Sequence, residues 1–163
     1  MSKNTLYNYL EYFNDSLVVF SLRKFSASYK EMEQTLPKIY FDDTGLLTIS
    51  GVESRSKLME NVVFTELMRR GFAANEKLFY FFSQNKEVDF IVKNKKVEQL
   101  VQVCQNLDDL STKEREVSAL IKASKELKCK NLLVITDDYE AEEKTYGRKI
   151  SYVPLWKWLL SVK

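Results

Sequence analysis

The sequence predicts a mixed α/β fold, and three observations predict it. Hydrophobic residues make up 45% of the 163 residues and charged residues 29%, the balance of a globular chain with a core. Ser56 to Arg70 and Thr112 to Lys128 carry apolar residues at helical spacing. Several short apolar or alternating runs lie around these helices and read as strands. With four Gly and two Pro, collagen-like and low-complexity architectures are excluded. The length suits one full domain with a small appendage.

The elements follow in order. Ser2 to Asn14 reads as a helix capped by Ser2 or Thr5, with Leu6, Tyr9, Leu10 and Phe13 at helical spacing. Leu17 to Leu22 reads as a strand. Ser26 to Pro37 is polar and reads as a loop or a weak turn of helix. Composition and pattern change near Pro37, which sets a boundary between residues 1–36 and 37–163. Lys38 to Phe41 is a short strand ending at Asp42-Asp43-Thr44-Gly45. The helix from Ser56 stops at Gly71. Leu78 to Phe82 is a strand. Glu87 to Lys93 and Val97 to Cys104 form a hairpin, followed by the capped helix from Thr112. Asn131 to Thr136 is an apolar strand, and Asp137 to Lys144 an acidic loop or short helix. Ile150 to Val153 is the last strand, and Pro154 opens a closing helix, Leu155 to Val162. From Lys38 onward, strands and helices are interspersed as a mixed α/β domain requires.

Composition excludes several chemistries. Histidine is absent, which removes Ser-His-Asp triads, Cys-His pairs, HExxH zinc sites and any His general base. Proton transfer would fall to carboxylates, Lys, Tyr, Cys or metal-bound water. Cys104 and Cys129 form no CxxC pair and fit a reducing compartment. The N-terminus has no apolar signal core, and no run approaches the ~20 apolar residues of a membrane span. A cytoplasmic protein is expected. The net charge of +2 does not favour tight nonspecific DNA binding, although Arg69, Arg70, Lys93, Lys95 and Lys96 could form a local patch.

Two polar placements stand out. On the Ser56–Arg70 helix, Glu60 shares a stripe with Val63, Phe64 and Leu67. A carboxylate on that face is paired, holds a metal, or swings out to solvent or to Lys57. In the hairpin, a two-residue turn at Asn94-Lys95 sets Lys93 opposite Lys96 and Asp89 opposite Leu100. Glu87, Asp89, Gln102 and Cys104 then share one face, and Val88, Phe90 and Val92 the other. That polar face either meets water or builds a site.

A helix Glu, a strand Asp and a following strand ending in polar-x-polar resemble the PD-(D/E)XK nuclease superfamily. More closely, the chain resembles the domain of unknown function that follows the AAA-type ATPase module in many archaeal and bacterial ATP-binding proteins. The segments carrying the likeness are Lys38 to Leu46, Leu58 to Phe64, Lys86 to Phe90, Val101 to Cys104 and Ile150 to Leu159. The resemblance implies a restriction-endonuclease-like mixed sheet flanked by helices. It implies a winged-helix-like remnant over residues 1–36 and a nuclease-like domain over 37–163. It also implies Glu60, Asp89 and Gln102 as vestigial or divergent catalytic and metal-ligating residues for Mg²⁺ or Mn²⁺, with Glu87 as helper.

Two departures matter. No GxxxxGK[ST] occurs, so this chain has no ATP-holding loop. The superfamily's third motif, Glu-x-Lys, reads Gln102-Val103-Cys104 here. Gln102 offers oxygen without charge, and Cys104, standing at the usual Lys position, is a poor cation and a poor Mg²⁺ ligand. Lys57, Lys86, Lys113 and Arg115 read as solvated side chains rather than replacements. Trp156 and Trp158 read as caps of the sheet. Three functions remain: a degenerate nuclease-fold module that binds DNA, other nucleic acid or a protein without cutting; an active divergent Mg²⁺-dependent nuclease; and an interaction or homo-oligomerisation module using the aromatic first helix. The altered third motif favours the first.

Overall fold

The computed structural model describes residues 3–161. In chain order the elements are α1 (Lys3–Asp15), β1 (Val19–Leu22), α2 (Tyr29–Gln34), β2 (Lys38–Phe41), α3 (Thr44–Ile49), α4 (Arg55–Arg69), β3 (Leu78–Ser83), β4 (Lys86–Lys93), β5 (Val97–Val103), α5 (Leu110–Glu126), β6 (Leu132–Thr136), β7 (Ala141–Thr145), β8 (Arg148–Pro154) and α6 (Leu155–Leu160). Ser2, one expected cap of α1, and Val162, the expected end of α6, lie outside the described residues.

Six strands form one mixed sheet in the order β3-β4-β5-β6-β8-β7. β5, β6 and β8 run parallel, and the remaining pairs are antiparallel. The parallel β5–β6 step needs a crossover, which α5 supplies. Alternation along the strands builds two cores. Phe79, Ile91, Leu100, Leu120, Val134 and Tyr152 pack on the α5 side. Leu78, Phe90, Val101, Ile135, Val63 and Phe64 pack on the α4 side with Trp158 of α6. Phe64 and Phe90 are fully buried, each contributing about 1.5–3 kcal/mol of apolar burial. Gly71 ends α4 at φ +88, a left-handed conformation that glycine adopts without strain.

β1 and β2 form a separate two-stranded antiparallel sheet, with Leu22 paired to Lys38 and Val19 to Phe41. It joins the two sides of Pro37. Leu22 and Tyr40 of this ribbon enter the α4-side core. On α1, Tyr9, Tyr12 and Phe13 are exposed.

Three elements differ from expectation. The Asp42–Gly45 turn opens a helix, α3, because the Asp43 side chain accepts the Gly45 N–H at 2.7 Å as an N-cap. Of the acidic segment after β6, Asp137 to Glu140 is a loop as expected, but the remainder belongs to β7, a charged edge strand paired to β8. In the β4–β5 hairpin Lys93 pairs with Val97 and Phe90 with Val101, with a register shift between Val92 and Lys93. The plain two-residue turn with Lys93 opposite Lys96 is therefore not formed.

Candidate functional site

β2 delivers two side chains to the same side because successive residues of a strand alternate. Lys38 and Tyr40 both face α4. The Tyr40 ring stacks on Phe64 of α4, with centroids 4.2 Å apart and planes at 5°. Asn61, 1% exposed, ties the ribbon to the helix: its Oδ1 accepts Phe41 N–H at 2.8 Å and its Nδ2 donates to Phe41 O at 2.9 Å.

Glu60 is buried among α4's apolar neighbours and is fully partnered. Its Oε1 accepts from Lys38 Nζ at 2.9 Å and from Tyr40 Oη at 2.8 Å, and its Oε2 accepts from Lys57 Nζ at 2.8 Å. The inward carboxylate and the bond to Lys57 thus coexist.

Asp89 reaches the same ammonium by a bulge. Phe79 pairs with Ile91 and Phe81 with Val88, so Tyr80 alone opposes the two residues Asp89 and Phe90. The extra residue breaks alternation. Val88 and Ile91 join the α5-side core while Phe90 joins the α4-side core, and Asp89 turns toward α4. Its Oδ1 accepts from Lys38 Nζ at 2.9 Å, and its Oδ2 accepts Val103 N–H at 2.9 Å. Glu87, at the start of β4, completes the cage with Oε1 2.7 Å from Lys38 Nζ.

The expected shared face of Glu87, Asp89, Gln102 and Cys104 is therefore not formed. Gln102 stands on the α5 side. Its Oε1 accepts the Asp89 backbone N–H at 3.2 Å, and its Nε2 donates to Glu116 of α5 at 2.5 Å. Gln102 supports the backbone behind Asp89 rather than its carboxylate. Cys104 belongs to the α5-side core, its Sγ donating to Asn106 O at 3.2 Å. Burial and the charge of Glu116 push that thiol up to about 11, so it stays protonated at neutral pH.

The electrostatics follow from the cage. Burial opposes the charge on Lys38, but Asp89, Glu60 and Glu87 outweigh it and raise Lys38 above the ordinary lysine range. Burial likewise opposes the Glu60 charge, yet Lys38 and Lys57 hold Glu60 below the usual carboxylate range. Burial pushes Asp89 up to about 6, helped by the Glu60 charge and resisted by Lys38. Burial and the Glu60 charge keep Tyr40 protonated and donating. An open cavity of about 330 Å³ borders the cage, lined by Glu60, Glu87, Asp89, Gln102 and Glu116 among others.

This donor set does not suit Mg²⁺ as it stands. The point on which Glu60, Glu87 and Asp89 converge holds the Lys38 ammonium at hydrogen-bond distances, whereas Mg²⁺ needs oxygens at about 2.1 Å. Among the described residues, no group of three or more acidic, Cys or His side chains is arranged to hold a metal ion. Lys57 bonds Glu60, Lys86 donates to Ser118, Lys113 pairs with Glu143, and Arg115 with Glu116. Sequence reasoning passed over Lys38. The signal was its place two residues before Tyr40 in a strand that packs an aromatic inward.

The class of this domain is shown by its sequence relatives. Residues 55–158 match the family described as a domain of unknown function, DUF4143, and the chain belongs to that family. Residues 1–56 match a second domain of unknown function, DUF8612. Among curated proteins, the chain is 42% identical over 168 residues to the uncharacterized protein MJ1544 of Methanocaldococcus jannaschii, a match covering 99% of this chain and 37% of that protein. The chain thus spans little more than a third of that relative. Among solved structures, a chain from an assembly of Thermococcus gammatolerans McrB AAA+ hexamers with bound McrC is 16% identical, covering 62% of this chain and 27% of that one, at a TM-score of 0.37. A likeness that slight carries no argument. Among the described residues, no helix is long and apolar enough to cross a membrane.

Proposed function

We propose that the chain is a binding module on a degenerate nuclease-like scaffold, part of an ATPase-associated protein, which holds nucleic acid or a protein partner without cutting. One observation carries this reading: Lys38 supplies the positive charge between Glu60 and Asp89 that a divalent cation would otherwise supply. A half-buried ammonium with three carboxylate partners, two of them buried, is costly to displace, because its removal would strand those charges. The placement of Gln102 behind Asp89 gives further support. The ATPase association rests on the resemblance of the motifs in order and spacing.

A second reading, a divergent metal-dependent nuclease, draws on the convergence of Glu60 and Asp89 on one cation, each 2.9 Å away. Calorimetric titration with Mn²⁺ and Mg²⁺, beside incubation with single-stranded and branched DNA and with RNA, separates the two. No saturable heat below millimolar metal and no cleavage are expected. Metal-dependent cleavage that disappears in Asp89→Ala would reject the binding-module reading.

A further inference from the structure

The charges of this chain are sorted by position, and the small net charge hides it. The β4–β5 turn, the α5–β6 loop and the β7–β8 turn lie at one end of the sheet, since Lys93 pairs with Val97, Leu100 with Leu132, Leu132 with Ile150 and Thr145 with Arg148. These turns carry Lys93, Lys95, Lys96, Lys128, Lys130 and Arg148. None of the six is in an ion pair among the described residues. The Arg148 guanidinium lies close enough to the Cys129 thiol, between Lys128 and Lys130, to act on it electrostatically. Of the acids nearby, Glu98 accepts from Asn94, Glu126 lies 3.8 Å from Lys122, and Glu142 lies 2.6 Å from Lys149, while Glu76 is exposed beside Lys77 just before β3. The opposite strand ends carry Asp108, Asp109, Asp137 and Asp138.

We infer that this lysine-rich end of the sheet is a contact surface for the phosphodiester backbone of a nucleic acid. The inference rests on the binding reading proposed above and gives that reading a place and a partner. From β4 across β5 and β6 to β8 is three inter-strand steps of about 4.8 Å, a row of cations about 15 Å long. That length spans several phosphates of one strand, which rises about 3.4 Å per residue. Five of the six cations are lysines, point charges suited to phosphates rather than to reading base edges, so the contact is sequence-independent. An anionic membrane fits less well. Within these three turns the only exposed large hydrophobic side chain among the described residues is Tyr146, too little to insert. Glu87 of the Lys38 cage lies six residues along β4 from Lys93, about 20 Å away. A backbone held on the basic row is thus kept apart from the carboxylates.

The test is binding of the whole chain to a fluorescein-labelled 20-base-pair DNA duplex of arbitrary sequence, by anisotropy across a salt series. Two double variants with the same change of net charge are compared: Lys95→Glu with Lys96→Glu, and Lys30→Glu with Lys157→Glu. The first should weaken binding at least about tenfold and flatten the log–log salt slope by about 0.9 for each phosphate that is no longer neutralised. The second should bind within about threefold of the unaltered chain, the residual effect expected of long-range charge alone. Equal weakening in both, no binding at 50 mM salt (about a 14 Å screening length), or equally tight binding to phosphatidylserine vesicles would overturn the inference. The same mixtures, incubated with Mg²⁺ and run on a denaturing gel, keep the two readings separable. Cut DNA would reject the non-cleaving reading while leaving the contact surface standing. Absent binding would reject the contact surface and leave the caged carboxylates as they are.

Discussion

The Lys38 ammonium stands 2.9 Å from the Asp89 carboxylate, across 51 residues of sequence, and the same ammonium touches Glu60 and Glu87. This contact ties the β1–β2 ribbon to the main sheet through charge as well as through apolar packing. Lys38→Met removes the cation and leaves Glu60 and Asp89 in place. A destabilisation of about 3–5 kcal/mol is expected, the usual cost of breaking a buried ion pair from one side. Urea unfolding at pH 7 measures it, and adding Asp89→Asn should restore part of the stability. A cost under about 1 kcal/mol, the range of an exposed pair, would contradict the cage.

Tyr40→Phe tests the hydroxyl separately from the ring. The stack on Phe64 survives, but Glu60 Oε1 loses its 2.8 Å donor. A hydrogen bond to a charged acceptor contributes about 1.5–3 kcal/mol, and a loss of unfolding free energy of that size is expected, seen as a lower thermal or urea midpoint. An unchanged midpoint would mean that water replaces the hydroxyl.

Asn61→Ala removes the side-chain bonds that hold Phe41 N–H and O. Two half-buried backbone groups then lose their protein partners, at up to about 1–3 kcal/mol each where water does not reach them. Hydrogen exchange should show faster opening of Lys38 to Phe41 than of β5. Uniform acceleration across the domain would mean that the ribbon and the sheet open together.

The pH dependence of stability follows from Asp89. Its folded carboxyl titrates at about 6, above the ordinary value, through burial and the Glu60 charge. Between about 3.9 and that pH the folded state keeps a proton that the unfolded state has released. The contribution of Asp89 to stability is therefore fully present below the unfolded value and is lost as pH rises through the folded one. Glu60, held low, contributes in the opposite sense at more acid pH, its stabilisation lost as pH falls. Asp89→Asn should remove the decline between about pH 4 and 6 from the stability profile. An identical profile in the variant would assign that decline to another group.

Much of this was legible in the sequence because it follows from periodicity. The stripe through Val63, Phe64 and Leu67 places Glu60 on the buried face, and Glu60 is buried there. The hairpin and the crossover helix also follow from apolar spacing. What was not legible depends on pairing. The aim of Asp89 depends on a bulge opposite Tyr80, and no pattern within β4 alone reveals which residues face one partner. β7 presents Glu142 and Lys144 outward and has little apolar alternation, as an edge strand can. Lys38 sits in a four-residue strand, too short for periodicity to separate an inward lysine from a solvated one.

The bulge opposite Tyr80 has one more consequence. The direction in which Asp89 points is encoded by a count of residues and not by the kind of residue. Point substitutions in β4 can strip the carboxylate of its charge, but they leave two residues facing one. Deleting Phe90 would restore strict alternation with Val88 still on the α5 side and Asp89 still on the α4 side, at the loss of one ring from the α4-side core. The aim of Asp89 is thus set by the register of β4 against β3, which a substitution leaves alone and a one-residue slip of either strand would reverse.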